Sequence, residues 1–215
     1  MRLPTDQERI TIVGATGSGK TQFAQWMLAQ RDFLTRPWLI YNFKHDESID
    51  SIPGLSVISL DMVPDGPGLY VVHPLPHQQG EVELQMWEIW RRGNIGIYVD
   101  EGYMIDRNSA AFSALLTQGR SKYIPMMVLS QRPVWLNAFV FSESNYYSVF
   151  RLQMQNDRKK MMEYVPANLE KRLPEYHSYY FDVGINKLTK LSPVPSLLEI
   201  HAIFARRLRT RREAI

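Results

Sequence analysis

The chain has 215 residues, of which 45% are hydrophobic and 22% charged, proportions that are typical of a globular protein and exclude a disordered one. Cysteine is absent, which excludes disulfides, cysteine-based metal sites and a cysteine nucleophile. No apolar run approaches the ~18 residues of a membrane span, and the N-terminal segment lacks the apolar region of a secretory signal. We therefore expect neither a signal peptide nor a transmembrane segment.

The formal net charge is only +3, but basic residues are concentrated near the C-terminus. Residues 205–212 contain five arginines and no acidic residue. A local basic segment of this kind indicates a polyanionic partner. Three interpretations stay open, namely salt-sensitive contacts with nucleic-acid phosphates, binding to an anionic membrane surface, and a solvated helix end.

The first motif in the chain is GATGSGKT at residues 14–21, which fits the phosphate-binding loop G-x-x-x-x-G-K-[ST]. It follows an apolar strand pattern at residues 10–13 and precedes a helical pattern at about residues 20–31, as the motif requires. Glycines let backbone N–H groups point at an anion, and the helix N-terminus adds its positive dipole. We predict that Lys20 reaches the β- and γ-phosphates, that the Thr21 hydroxyl binds Mg²⁺, and that the nucleotide is held by Gly14, Ala15, Thr16, Gly17, Ser18, Gly19, Lys20 and Thr21.

Apolar runs then alternate with helical patterns along the chain. Strands are predicted at residues 38–42, 56–60, 69–72, 95–99, 124–130 and 146–152. Helices are predicted at residues 81–92, 110–118 (with Gly119 as the C-terminal cap) and 157–165. This alternation predicts an α/β fold with a mostly parallel sheet and helices on both faces.

The C-terminal part has a different pattern. Residues 179–183 and 187–191 flank a Gly-Ile-Asn turn and predict a β-hairpin, and residues 196–212 predict one helix. We expect a single domain over residues 1–195, followed by a basic helical tail over residues 196–215.

An acidic pair, Asp100 and Glu101, directly follows the buried strand at residues 95–99. In parallel sheets ligands bind at the carboxyl ends of the strands, so this pair is expected beside the phosphate loop. Asp100 is predicted to order Mg²⁺, and Glu101 to polarise a water that attacks the γ-phosphate. GTPases and many kinases lack a glutamate here, so the pair favours ATP hydrolysis. The alternative is that both acids cap the turn after the strand.

Two further polar residues lie near strand or helix ends. Arg120 lies between a predicted helix and the next strand, where it either stabilises the helix dipole or acts as an arginine finger supplied by a neighbouring subunit. Gln131 ends the strand at residues 124–130. It either senses the γ-phosphate and holds the attacking water, or completes backbone hydrogen bonds at the strand end.

The order of these motifs resembles that of the FtsK–HerA superfamily of DNA-translocating ATPases. The phosphate loop is followed by the Asp-Glu strand, by Gln-Gly-Arg at residues 118–120 and by Ser-Gln-Arg-Pro at residues 130–133. The short chain without a membrane span resembles the viral branch, the genome-packaging ATPases of icosahedral viruses with an internal membrane. One departure is Asn42-Phe43-Lys44, where many relatives carry Asp-x-Lys, and the resemblance therefore implies no role for Asn42.

The resemblance implies a RecA/FtsK-like P-loop fold and a hexameric ring that uses ATP and Mg²⁺ to move double-stranded DNA into a preformed capsid. It implies that the nucleotide and metal are bound by Lys20, Thr21 and Asp100, and that Glu101 is the base, Gln131 the sensor and Arg120 a trans-acting finger. Capsid vertex or portal proteins are the implied partners, with viral membrane contact through the basic tail. The implied location is the packaging vertex of the virion or the host cytoplasm.

Two other functions compete with this one. A phage export ATPase of the zonula-occludens-toxin type shares the nucleotide core, but it normally continues into a transmembrane segment. A nucleotide-dependent scaffold with little hydrolysis is the second alternative, and the pair of Asp100 and Glu101 argues against it.

Overall fold

The computed structural model describes residues 1–213, with the backbone alone for residues 210–213. Its central element is one sheet of nine strands. The strand order across the sheet is β3-β4-β2-β5-β6-β1-β7-β8-β9. In chain order the strands are β1 (Arg9–Val13), β2 (Pro37–Asn42), β3 (Leu55–Val57), β4 (Gly68–Val72), β5 (Gly96–Asp100), β6 (Met126–Ser130), β7 (Tyr146–Val149), β8 (Ser178–Asp182) and β9 (Lys187–Leu191).

The strands β1 to β7 run parallel to one another, whereas β8 pairs antiparallel with both β7 and β9. The register aligns the carboxyl ends of the central strands. Val13 of β1 lies opposite Ser130 of β6 and Val149 of β7, and Asn42 of β2 lies opposite Asp100 of β5. The segments that leave these strands therefore meet at one edge of the sheet.

Seven α-helices cover the sheet within the described residues. They are α1 (Lys20–Ala29), α2 (Glu47–Asp50), α3 (Gln79–Arg92), α4 (Ala110–Gln118), α5 (Ala138–Ser142), α6 (Gln155–Met162) and α7 (Leu197–Glu213). Side chains of one strand alternate between two cores, because successive residues of a strand point to opposite faces. In β2, Leu39 and Tyr41 pack with α3 to α6, whereas Trp38 and Ile40 pack with α1 and α7. The predicted parallel α/β fold with helices on both faces is confirmed, as is the C-terminal hairpin.

Several predicted boundaries of strands and helices differ from the observed ones. Gly119, the predicted cap of α4, does not adopt the left-handed conformation that is common at helix C-termini. It follows α4 directly, but its φ is −59°, and the chain continues as a 3₁₀ helix over Gly119–Lys122. The left-handed residue that ends this turn is Tyr123, at φ 55°. The short helices α2 and α5 were not predicted, because four or five residues are too few to show a helical period.

The helix α7 belongs to the packed body of the protein over most of its length. Ile200 and Phe204 are 0% exposed, and Arg207 donates hydrogen bonds of 2.6 Å to the backbone oxygens of Ala29 and Arg31 at the end of α1. The predicted boundary between residues 195 and 196 therefore does not coincide with a break in the packing. The side chains of Arg211 and Arg212 lie outside the described residues. Within residues 1–213, no helix is both long and apolar enough to cross a bilayer.

Replacement of Ile200 by alanine tests whether α7 is part of the fold. Because Ile200 is fully buried, we expect Ile200→Ala to lower the free energy of unfolding by about 2–5 kcal/mol. Leu198 lies on the same helix at 81% exposure, so Leu198→Ala is the matched control and should change it by less than about 0.5 kcal/mol. Urea denaturation measures both. Equal, small effects of the two changes would mean that the helix is an independent tail.

Candidate active site

The phosphate loop is held by backbone hydrogen bonds to the strand ends on either side of β1. The N–H of Gly14 donates to the oxygen of Ser130 at 3.1 Å, and the N–H of Ala15 donates to the oxygen of Arg151 at 2.9 Å. Gly19 precedes α1 at φ 96°, a left-handed conformation that favours glycine, and no side chain caps the helix. The N–H groups of the first helical turn are therefore available for an anion.

Residue 14 must be glycine because neighbouring atoms leave no room for a side chain, and not because of its backbone dihedral angles. A Cβ atom at this position would lie 2.5 Å from Ser18 Oγ and 2.6 Å from Phe150 Cβ. Both atoms belong to the walls of the loop, so a side chain at residue 14 would force the loop to change its shape.

The carboxylate of Glu101 is the centre of the site. The residue follows β5 in a left-handed conformation, at φ 57°, and is 0% exposed. Its Oε1 lies 3.2 Å from Lys20 Nζ, 2.7 Å from Lys44 Nζ and 2.6 Å from Gln131 Nε2. Its Oε2 accepts a hydrogen bond of 3.0 Å from the N–H of Gln131. The hydroxyl of Thr16 donates to Gln131 Oε1, which connects the phosphate loop to the same network.

This environment keeps Glu101 ionised. Burial acts to raise the pKa of the Glu101 carboxyl, but the charges of Lys20 and Lys44 and the hydrogen bonds from Lys44 and Gln131 outweigh burial and hold that pKa below its usual value. Burial also acts to lower the pKa of Lys44, but the hydrogen bond to Glu101 and the neighbouring negative charges, that of Glu101 first, together raise that pKa above its usual value. Both partners of the pair are therefore charged.

Asp100 has the opposite environment. It is 1% exposed, and neither carboxylate oxygen has a hydrogen-bond partner among the described residues. Burial, and then the neighbouring charge of Glu101, raise the pKa of Asp100 to about 7. A buried carboxylate without donors is suited to a cation, and hard oxygen ligands suit Mg²⁺. The environment of Asp100 therefore fits a metal ligand, and Thr21, the second residue of α1, stays the predicted second ligand.

Arg120 is not brought to this site. It is exposed in the 3₁₀ helix that precedes β6, so it lies at the amino end of the strand that Gln131 follows. A strand of five residues spans about 17 Å, and it separates Arg120 from the edge that carries Glu101. Together with Gln7 and Tyr123, Arg120 lines a shallow surface on the opposite edge of the sheet.

No protein-family model matches the chain. The DNA packaging ATPase P9 of Enterobacteria phage PRD1 is 46% identical to it in an alignment of 215 positions, which covers 95% of this chain and 95% of the relative. The chain belongs to the family of viral DNA-packaging ATPases. Its predicted place in the viral branch of the FtsK–HerA superfamily is thereby confirmed.

Solved structures agree with the fold of this packaging ATPase. The genome packaging NTPase B204 of Sulfolobus turreted icosahedral virus 2, in complex with AMPPCP, has a TM-score of 0.70 at 17% identity and covers 89% of this chain and 100% of its own. ATPases 2 and 3 of EssC from Geobacillus thermodenitrificans give a TM-score of 0.64 at 12% identity, covering 97% of this chain and 45% of their own. At these identities the likeness shows the fold alone.

Two residues of the packaging ATPase site were not predicted. Lys44 contacts Glu101 across the ends of the neighbouring strands β2 and β5. Its sequence signal was the lysine of Asn42-Phe43-Lys44, at the place of the lysine in the Asp-x-Lys of many relatives. Tyr176 lies over the loop in a left-handed conformation, at φ 59°, and its ring approaches Gly19. It lines a cavity of ≈ 140 Å³ together with Gly19, Gln22, Phe23, Ser178 and Val194.

Replacement of Gly14 by alanine tests the geometry of the loop. Overpacking of this kind costs about 1–3 kcal/mol, and we expect the nucleotide affinity of Gly14→Ala to fall about tenfold because the loop must open. Gly66→Ala is the matched control, since a Cβ there would meet no atom within 4 Å. Titration with a fluorescent ATP analogue measures both. An unchanged affinity in Gly14→Ala would contradict the role of the loop in binding.

Proposed function

We propose that this ATPase is the motor that moves double-stranded DNA into a preformed viral capsid. The family relationship supports packaging over the export and scaffold alternatives. The single observation that carries the chemistry is the ionised, buried Glu101 beside the lysine of a phosphate loop. A protein that only binds nucleotide has no need for a carboxylate in this position, since its negative charge repels phosphate.

Residues 14–21 bind the phosphates of ATP through their backbone N–H groups. Lys20 exchanges its contact with Glu101 for the β- and γ-phosphates. The adenine ring of ATP lies in the cavity beneath Tyr176. This cavity has apolar walls and is also lined by Ser178 and Ser192. Thr21 and Asp100 hold Mg²⁺, which when bound neutralises charge on the phosphates.

Glu101 is the general base in this proposal. Its carboxylate orients a water and accepts the proton of that water as the γ-phosphate is attacked. Gln131 connects this event to the loop, because its amide contacts both Glu101 and Thr16. Gln131 therefore serves as the sensor that registers whether the γ-phosphate is present.

Arg120 completes the site of a neighbouring copy. Because Arg120 and Glu101 lie at opposite edges of the sheet, one chain cannot use both in the same site. Head-to-tail packing in a closed ring places unlike surfaces of adjacent subunits against each other. In a hexameric ring, each subunit supplies Arg120 to stabilise the charge that develops on the phosphates bound by the next.

Further partners follow from the packaging role. Duplex DNA passes through the ring, and the exposed Arg209 of α7 together with the arginines beyond it contacts the phosphate backbone. Capsid vertex or portal proteins hold the ring at the packaging vertex of the virion or during assembly in the host cytoplasm. The basic segment at residues 205–212 is also the part suited to contact the viral membrane. In this proposal residues 1–195 are the ATPase domain, and residues 196–215 are the basic helical tail that contains this segment.

Replacement of Glu101 by glutamine tests the chemistry. The amide keeps the shape but cannot accept a proton, so we expect Glu101→Gln to bind ATP normally and to hydrolyse it about 10²–10⁴-fold more slowly. Glu81→Gln, at an exposed position in the first turn of α3, is the matched control and should be fully active. Phosphate release with and without duplex DNA measures the rates.

Two results would contradict this account separately. Undiminished hydrolysis by Glu101→Gln would show that Glu101 is not the base. A rate in the unchanged chain that is indifferent to duplex DNA would contradict the motor function while leaving the base in place.

A further inference from the structure

The turn after β2 contains Lys44, which contacts the buried carboxylate of Glu101. The side-chain amide of Asn42 stabilises that turn. Asn42 is buried, and its Nδ2 donates to Asp46 O at 3.2 Å and to Asp50 Oδ1 at 3.0 Å. Its Oδ1 accepts the N–H of Asp46 at 2.9 Å. An aspartate at residue 42 could accept the last bond but could not donate the first two. The amide therefore fixes the segment that contains Lys44.

Lys44 and Lys20 compete for the same carboxylate oxygen. Lys44 Nζ lies 2.7 Å from Glu101 Oε1, and Lys20 Nζ lies 3.2 Å from it. The two lysines differ in their surroundings, because the Lys44 side chain is 37% exposed and that of Lys20 only 8%. Lys20 lies at the start of α1, directly below the loop, where phosphates attract it.

A buried carboxylate that loses one cation requires another partner, since an unpaired buried charge is strongly destabilising. Once nucleotide phosphates attract Lys20, Lys44 is the remaining cation in contact with Glu101 among the described residues. Oε1 is then held by Lys44 together with the side-chain amide of Gln131, and Oε2 by the backbone N–H of Gln131.

We propose that Lys44 is a positioning residue for hydrolysis, which holds Glu101 Oε1 on the β2 side of the site after nucleotide binding has drawn Lys20 away. This inference rests on the proposed role of Glu101 as the base. Because Lys44 contacts the proposed base, it acts on the rate of the chemical step rather than on the binding of ATP.

The test compares Lys44→Met, which keeps the length of the side chain, with Lys44→Arg, which keeps its charge. We expect Lys44→Met to lower kcat about tenfold or more, because it removes a charge-assisted hydrogen bond to the base, while the Kd for a fluorescent ATP analogue changes less than about twofold. Lys44→Arg should restore most of the lost rate. Lys190→Met, at an exposed position of β9, is the control and should leave both values unchanged.

A double variant separates positioning from a general structural role. If Lys44 acts only through Glu101, the variant with Lys44→Met and Glu101→Gln should be no slower than Glu101→Gln alone. Binding of the ATP analogue by each variant shows that its site is folded.

Several results would overturn the inference. A kcat of Lys44→Met that is equal to or above that of the unchanged chain would mean that Lys44 is dispensable or restrains the base. Loss of ATP analogue binding would make Lys44 a binding residue instead. Full hydrolysis by Glu101→Gln would remove the proposed base and the positioning role with it, whereas an inactive Glu101→Gln beside a fully active Lys44→Met would overturn only the role of Lys44.

Discussion

A fully buried, ionised carboxylate is the constraint on which the rest of the site depends. Glu101 can remain charged at 0% exposure only because four contacts from lysine and glutamine groups surround it. These contacts come from the ends of β1, β2 and β6, and Glu101 itself follows β5. Since β2, β5, β6 and β1 are adjacent in the sheet, the network requires the strand order that the fold provides.

The same topology places the residues proposed for hydrolysis at two opposite edges of the sheet. The phosphate loop, Glu101 and Gln131 follow carboxyl ends of parallel strands, whereas Arg120 precedes the amino end of β6. An arginine at that edge is unable to serve its own chain. In the proposed mechanism this placement makes hydrolysis depend on assembly with further copies of the chain.

The sequence predicted the parts of the site that depend on local patterns. The phosphate loop and the positions of Asp100 and Gln131 could be predicted because each lies at the carboxyl end of an apolar strand. Lys44 and Tyr176 could not, since their contacts join segments that are distant along the chain. For α7, the cluster of arginines suggested a tail, but the apolar residues on its other face, Ile200 and Phe204, pack it into the core. Local charge therefore describes one face of that helix, and its apolar face describes how the helix is attached.

The most direct test of a site shared between subunits mixes two inactive variants. Arg120→Ala lacks the arginine and Glu101→Gln lacks the base, so each alone should hydrolyse ATP slowly. In mixed rings, one kind of interface combines an intact Glu101 from one subunit with an intact Arg120 from its neighbour. The account predicts that mixing restores ATP hydrolysis above the level of either variant alone. A mixture that stays as slow as its components would show that Arg120 does not act across the interface.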